Sequence, residues 1–329
     1  MLISLFDWNK FVEANSEAHV MQHGAWGEFK SLFGWSAYRI TNSDSGAQIL
    51  IRDLPLGFRF AYIPKGPVGG NLNYLLPELH DFCKKKKVFF LRIEPNGWES
   101  NSNQNQEMPE GFIRSEAIQP RRTIVVDLRP DEEEVLEKMK QKTRYNIRLA
   151  IKKEVIVDRS RDVNKFYELL LKTGERDQFG IHSLNYYQNA YDIFSKYHSC
   201  ELFLASYQGI QLAGIMVFLH GSRAWYFYGA SSNQERDRMP TYLLQWEAMC
   251  WSKKMGCQEY DLWGVPDEDE STLEKDFACR SDGLWGVYRF KRGFGGQLYR
   301  SLGAWDYIYS PLRYRIFQLI LKMRKIQLA

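Results

Sequence analysis

The chain of 329 residues carries 44 Lys and Arg against 40 Asp and Glu, with 44% hydrophobic and 26% charged residues. That length holds two domains or one large one, and the balance is that of a soluble globular protein rather than a disordered or fibrous one. The net charge of +4 is too small to mark a nucleic-acid binder by itself.

The five cysteines, Cys83, Cys200, Cys250, Cys257 and Cys279, are odd in number and form no C-x-x-C pair, which reads as free thiols in a reducing compartment. The histidines are scattered without H-x-x-x-H or H-E-x-x-H spacing, so no metal site is expected. The start, MLISLFDWNK, lacks a basic leader and is interrupted by Asp7, unlike a signal peptide. The most apolar stretch, residues 212–219, is too short to cross a bilayer. A cytoplasmic protein is expected.

In chain order, residues 26–33 read as an amphipathic helix stopped by Gly34. WSAYRI, AQILIRDL and FRFAYIP read as successive strands, and Pro64-Lys65-Gly66-Pro67 as a turn. A helix over 72–86 precedes a buried strand, VFFLRIEP, and the polar NGWESNSNQNQEMPEGF reads as a loop. After the strand TIVVDL, residues 131–154 form the longest helical segment, with acids in its first turn and bases in its last. A domain boundary is placed near its end. Helices follow over 163–173 and 186–197. ELFLASY and GIQLAGIMVFLH then form a hairpin turning at Gln208-Gly209. The strand AWYFYGAS, a helix over 241–255 closed by Gly256, and the strands EYDLW and VYRF complete the set.

This order is that of one acetyltransferase-like α/β unit, and the first part is a looser copy of it. The expected fold is therefore α/β (α+β), two tandem acetyltransferase-like (GNAT-type) domains with a cleft between or along them. The domains are placed at residues 1–150 and 151–310, with a helix over 311–329 packing back on the first domain or on a membrane. An acyl-CoA enzyme would need R-x-x-G-x-G/A at a strand-to-helix junction, where backbone N–H groups cradle the pyrophosphate. The corresponding ERDRMPTYLLQW places Met239, Pro240 and Thr241 there, and proline has no N–H. The scaffold is read as kept for another acyl donor.

Residues 284–296, LWGVYRFKRGFGG, set Lys291 and Arg292 among aromatics with Gly293, Gly295 and Gly296 just behind. Two readings are open. One is a cation held near an apolar cleft, beside backbone that a ligand can approach closely; the other is an edge strand with snorkelling cations before a turn.

QHGAWGEFKSLFGW, AYIPKGPV, LRIEP, KTRYNIRLAIKKEVIV, ERDQFGIHSLNYY, WYFYGAS, EYDLWGV, the stretch above and LYRSLGAWD occur in that order over almost the whole chain. Together they resemble the FemABX-type peptidoglycan bridge aminoacyltransferases. The resemblance is to the compact, FemX-like form, because nothing between Arg159 and Tyr186 could make the coiled-coil hairpin of some members. It implies two acetyltransferase-like domains flanking a substrate channel. It also implies a non-ribosomal peptidyltransferase that moves an aminoacyl group from aminoacyl-tRNA to the stem-peptide amine of a peptidoglycan precursor, lipid II or UDP-MurNAc-pentapeptide. The donor ester is already activated, so no cofactor is expected.

The resemblance also assigns residues. Phe290 and Lys291 match the family's F-K pair, and a poorly solvated Lys291 ammonium would stabilise charge on the ester oxygen and the leaving 3′ hydroxyl. Lys30, in W-x-x-x-K, matches a lysine on the precursor's phosphates; the plainer reading is a solvated helix lysine. Where the family has a second phosphate ligand, an arginine, this chain has His182, followed by Tyr186, and a neutral histidine brings less charge. Tyr228 matches an aromatic lining the channel. Lys65 is a further substrate-binding candidate or a turn lysine. Glu94 sits where an acid has been considered for proton transfer. Burial could raise its pKa for work as a base, while a structural salt bridge is the alternative. An acidic family position is occupied by Ala304, with Asp306 retained.

The basic half of the long helix, with Lys142, Arg144 and Arg148, is the expected tRNA contact, the alternative being a solvated face. In the last segment, Leu312, Ile316, Leu319, Ile320 and Met323 share one side, and Arg313, Arg315, Lys322, Arg324 and Lys325 dominate the rest. Such a helix suits packing on the first domain or peripheral contact with the inner face of an anionic membrane, and it favours a lipid-linked acceptor. A monomer is expected. Two other readings stand beside this one: an aminoacyl-tRNA-dependent transferase with a lipid or protein N-terminus as acceptor, and a non-catalytic RNA- or membrane-binding relative.

Overall fold

Strand-forming stretches in both halves of the chain assemble into two separate sheets, each with its own helices. A computed structural model describes residues 1–42, 44–99, 108–178 and 180–324. Much of the Asn-rich loop, and Lys325, lie outside the described residues. The chain divides into two compact units, residues 1–121 with 299–329, and residues 122–298.

The first unit's sheet runs Trp35–Thr41, Ser45–Leu54, Phe58–Pro64, Phe90–Glu94, Ala304–Ile308, Phe112–Ser115, with Val68–Gly69 paired to Ser45–Leu54. Phe58–Pro64 and Phe90–Glu94 pair in parallel and are joined through the helix Leu72–Lys85. That helix buries Leu75, Leu79, Phe82 and Cys83, one face at helical spacing, in a cluster with Ile40, Ile49, Ile63 and Leu91. Phe90–Glu94 is buried at every residue, as a central strand should be. At its centre Arg92 donates from Nε and Nη2 to both carboxylate oxygens of Asp306, each at 2.7 Å. The helix Pro311–Arg324 seats Phe317 against Phe89 and Phe90, so the last segment packs on this unit.

The second sheet runs Gln297–Arg300, Arg122–Asp127, Glu259–Asp261, Arg223–Ser231, Ile210–His220, Cys200–Tyr207, Ile156–Ser160. The hairpin turns at Gln208 and Gly209 with φ of 48° and 80°, the pair of positive φ values that suits a two-residue turn. The helices Val163–Asp177, Leu184–Ser195 and Pro240–Lys254 complete most of this unit's helical layer.

Three expectations change. The strand Arg122–Asp127 pairs with Glu259–Asp261, so the segment from 122 to 150 belongs to the second unit and the division falls near residue 121 instead of 150. The long helix is two, Glu132–Lys138 and Gln141–Lys152. Met139 breaks it in an extended conformation with its side chain in the core, and the Lys140 N–H donates to the Gly293 carbonyl. Finally, VYRF is not a strand: it lies in the helix Trp285–Lys291, where Trp285, Tyr288 and Lys291 are buried three residues apart.

Among the described residues no helix is long and apolar enough to cross a membrane. All five cysteines are free thiols, and only Cys279 is exposed.

Candidate active site

Lys291 ends the helix Trp285–Lys291 and is 5% exposed. Its ammonium donates to the carbonyls of Trp263 and Gly264, both at 2.9 Å, and lies 5.4 Å from the Tyr226 ring centroid. Burial pulls its pKa down to about 7, against a smaller upward pull from Asp261. The carbonyls are aimed by a local device. Asp261 ends the strand Glu259–Asp261, and its Oδ1 accepts from the Trp263 N–H at 2.8 Å, an Asx-type turn. Trp263 is thereby held at φ 60°, a strained region for a tryptophan. The Thr123 hydroxyl also donates to Asp261 Oδ1.

The neighbouring cation has a different fate. Arg292 forks onto Glu274, with Nε donating at 2.7 Å, and the Tyr288 hydroxyl donates to the same carboxylate at 2.6 Å. Arg292 foremost holds the Glu274 pKa down to about 2. Glu274 thus fastens the short helix that carries Lys291. Phe290, next to Lys291, packs on Tyr242 and Phe294 in the unit's core.

An aromatic wall belongs to the same unit. The strand Arg223–Ser231 carries a bulge at Phe227, opposite Met216 and Val217, and bulges re-aim side chains. Phe227 meets Trp263 at 4.7 Å between centroids. Tyr228 meets Tyr187 edge-on at 5.2 Å and donates from its hydroxyl to Tyr186 Oη at 3.4 Å. Tyr186 stacks on the exposed His182 ring at 3.8 Å. Burial drives the phenols of Tyr186 (to about 12) and Tyr228 upward, so both stay neutral. The structure therefore brings His182, Tyr186 and Tyr228 together. Lys291 is tied to the Trp263 turn, whose ring packs on Phe227. Asp261, Trp263, Tyr226 and Glu274 escaped the sequence reading; the D-x-W spacing of EYDLW was the available signal for the turn.

In the first unit, Lys30 lies in the last turn of the helix Gly24–Ser31 with its ammonium 5.4 Å from the Trp26 ring and 5.7 Å from the Phe29 ring. Burial and then the nearby charge of Arg52 lower its pKa to about 8. Arg52 lies over Trp35 at 5.2 Å. This second cation went unnoticed in the sequence. Lys65 is buried, at φ 49°. Glu94 is buried too, and its carboxylate accepts from the Ile118 N–H at 2.6 Å and from the Gln119 N–H. Burial raises its pKa, opposed by Lys65 and by these N–H groups. The geometry is that of a structural clasp.

On the helix Gln141–Lys152, Lys142 and Arg148 are exposed, and Tyr145 is 60% exposed between them. Arg144 is engaged differently: its Nη1 donates to the carbonyls of Glu137 and Met139, both at 2.7 Å, closing the end of the preceding helix. At the start of Pro240–Lys254, Met239 has φ 56° and Pro240 takes the first helical position. Among the described residues no group of His, Cys, Asp and Glu is placed to hold a metal ion.

Comparisons with known proteins agree with this architecture. A lipid II:glycine glycyltransferase of Staphylococcus haemolyticus (strain JCSC1435) is 25% identical over 406 aligned positions, covering 97% of this chain and 94% of the relative. That span exceeds the chain's own length, so part of the relative has no counterpart here, in keeping with a compact form. The crystal structure of FemX superposes with a TM-score of 0.86 at 25% identity, covering 96% of this chain and 98% of that one. A tandem GNAT protein from the clavulanic acid biosynthesis pathway shares the fold, with a TM-score of 0.52 at 10% identity over 93% of this chain and 95% of that one. The FemAB family pattern matches residues 3–116, 110–208 and 204–322, and the chain belongs to the FemAB family.

Proposed function

We propose that this aminoacyltransferase moves an aminoacyl group from aminoacyl-tRNA to the stem-peptide amine of a lipid-linked peptidoglycan precursor at the inner face of the membrane. The observation that carries the reading is the dry ammonium of Lys291, fixed by two carbonyls of a strained turn beside aromatic side chains. The attacking amine forms the C–N bond to the ester carbonyl, and the carbonyl oxygen gains negative charge. The ammonium stabilises that charge and gives a proton to the departing 3′ oxygen as the C–O bond breaks, and the proton that the attacking amine loses passes to the neutral Lys291 amine, restoring the ammonium. A pKa near 7 suits a group that both gives and regains a proton at neutral pH.

Tyr186 and Tyr228 offer neutral hydroxyls and rings to the peptide, with His182 at their outer edge. Phe290 serves by packing and so sets the pose of Lys291. Lys30 and Arg52, two mutually repelling cations over tryptophans, suit the precursor's diphosphate. Glu94 and Lys65 shape the turn beside Gly66, whose N–H donates to the Glu94 carbonyl. Lys142, Tyr145 and Arg148 suit the donor's RNA, through phosphates and stacking.

The test offers a mixed pool of charged tRNA, with labelled amino acids, to lipid-linked and UDP-linked pentapeptide precursors. Transfer to the lipid-linked form is expected. Absence of transfer to either acceptor, with every amino acid supplied, would overturn the reading.

A further inference from the structure

The helix Pro311–Arg324 has two opposite apolar faces. One is used: Phe317 is 5% exposed against Phe60, Phe89 and Phe90, and Tyr314 packs on Phe90 while its hydroxyl donates to Asp306 Oδ2 at 2.7 Å. The other is bare. Leu312, Leu319 and Met323 are 71%, 59% and 77% exposed, and Ile316 is exposed as well. At about 100° per residue these four fall within roughly 60° of one another, directly opposite the packed face. Side chains that only capped a soluble fold would gain nothing from such a stripe.

The charges frame it. Arg313 falls on one flank of the stripe, and Arg315 and Lys322 on the other; all three are exposed. The helix contains no Asp or Glu. A nucleic acid would use the cations but leave the four apolar side chains in water. A surface that is apolar along its centre and anionic above it satisfies both, and that is a bilayer bearing acidic headgroups.

We propose that the outer face of this helix docks on an anionic bilayer, with Leu312, Ile316, Leu319 and Met323 entering the headgroup–acyl boundary and Arg313, Arg315 and Lys322 pairing with lipid phosphates. The inner face anchors the helix to the sheet, so the whole first unit is held at the surface. Docking of this face needs neither donor nor acceptor and is separate from the reaction.

The experiment is flotation of the full chain with vesicles of phosphatidylcholine and phosphatidylglycerol, against vesicles of phosphatidylcholine alone. Two variants accompany it: Leu312→Ser with Leu319→Ser and Met323→Ser, and Arg313→Gln with Arg315→Gln and Lys322→Gln. All substituted positions are exposed, so both variants should keep the wild-type melting temperature. Partitioning of the wild type to the acidic vesicles is expected, weakened by high salt and reduced on the order of tenfold or more in each variant. Undiminished partitioning of the serine variant would overturn the proposal, as would equal binding to neutral vesicles. So would concentration-dependent dimerisation that the serine variant abolishes, since the stripe would then serve a second copy of the chain.

Discussion

The Lys291 ammonium and the Trp263 carbonyl meet at 2.9 Å, and that contact depends on a backbone held at φ 60° by the carboxylate of Asp261. Asp261 thus acts on Lys291 twice. It aims the carbonyl acceptors, and its charge partly offsets the pKa depression that burial imposes.

The first prediction concerns the pH–rate profile. A protonated Lys291 is required, so kcat/KM should fall on the alkaline side with a midpoint near 7, the value of the free enzyme, and the matching limb of kcat should lie higher because a bound anionic group favours the ammonium. Asp261→Asn keeps much of the turn's shape but removes the charge that favours the ammonium, and should move this limb to lower pH. An unchanged limb in the variant would separate it from Lys291.

A second prediction follows from linkage. The ordinary lysine value is 10.5, and Lys291 in the folded chain titrates at about 7. Between these values the unfolded chain holds a proton that the folded chain has released, so this group makes stability rise with pH across that window. Lys291→Met removes the effect. The stability of the methionine variant relative to wild type should therefore decline as pH rises from about 7 towards 9, at up to roughly 1.4 kcal/mol per pH unit. Urea unfolding at a series of pH values checks it; a constant difference would mean that the lysine titrates normally.

The third prediction separates neighbours on one helix. Arg144→Ala uncaps the Glu132–Lys138 end and should cost about 1–2 kcal/mol of stability with little change in donor KM. Lys142→Glu with Arg148→Glu, both at exposed positions, should leave stability nearly unchanged and raise donor KM at least tenfold, with a shallower salt dependence. A donor KM that ignores the double reversal would place the RNA contact elsewhere.

Glu94→Gln decides between a clasp and a base. The amide keeps one acceptor for the Ile118 and Gln119 N–H groups but loses the charge. The expected result is a loss of about 1–3 kcal/mol in stability, with kcat of the folded fraction within about threefold of wild type. A drop of about a hundredfold or more in kcat, with stability unchanged, would instead make Glu94 the base.

How much of this was legible beforehand depends on how local the cause is. The hairpin at Gln208-Gly209 and the strands around AQILIRDL and ELFLASY follow from turn chemistry and side-chain pattern, both local properties. Lys291 stood out because adjacent cations among aromatics are anomalous in any local element. Its helix did not, because seven residues with aromatics at mixed spacing fit a strand as well as two helical turns. The unit boundary was misplaced because Arg122–Asp127 finds its partner, Glu259–Asp261, more than a hundred residues later in the chain. The Asp261–Trp263 turn and the Arg52–Lys30 pair were hidden for a related reason. Each depends on where a carbonyl or a guanidinium points after folding, which residue type alone does not determine.

The most direct test of the account is single-turnover transfer from aminoacyl-tRNA to the lipid-linked precursor by wild type and Lys291→Met, both verified as folded. The account predicts a rate lower by about a hundredfold to a thousandfold in the variant, with donor and acceptor affinities nearly unchanged. A variant that transfers at the wild-type rate would remove the ammonium from the chemistry and contradict the account at its centre.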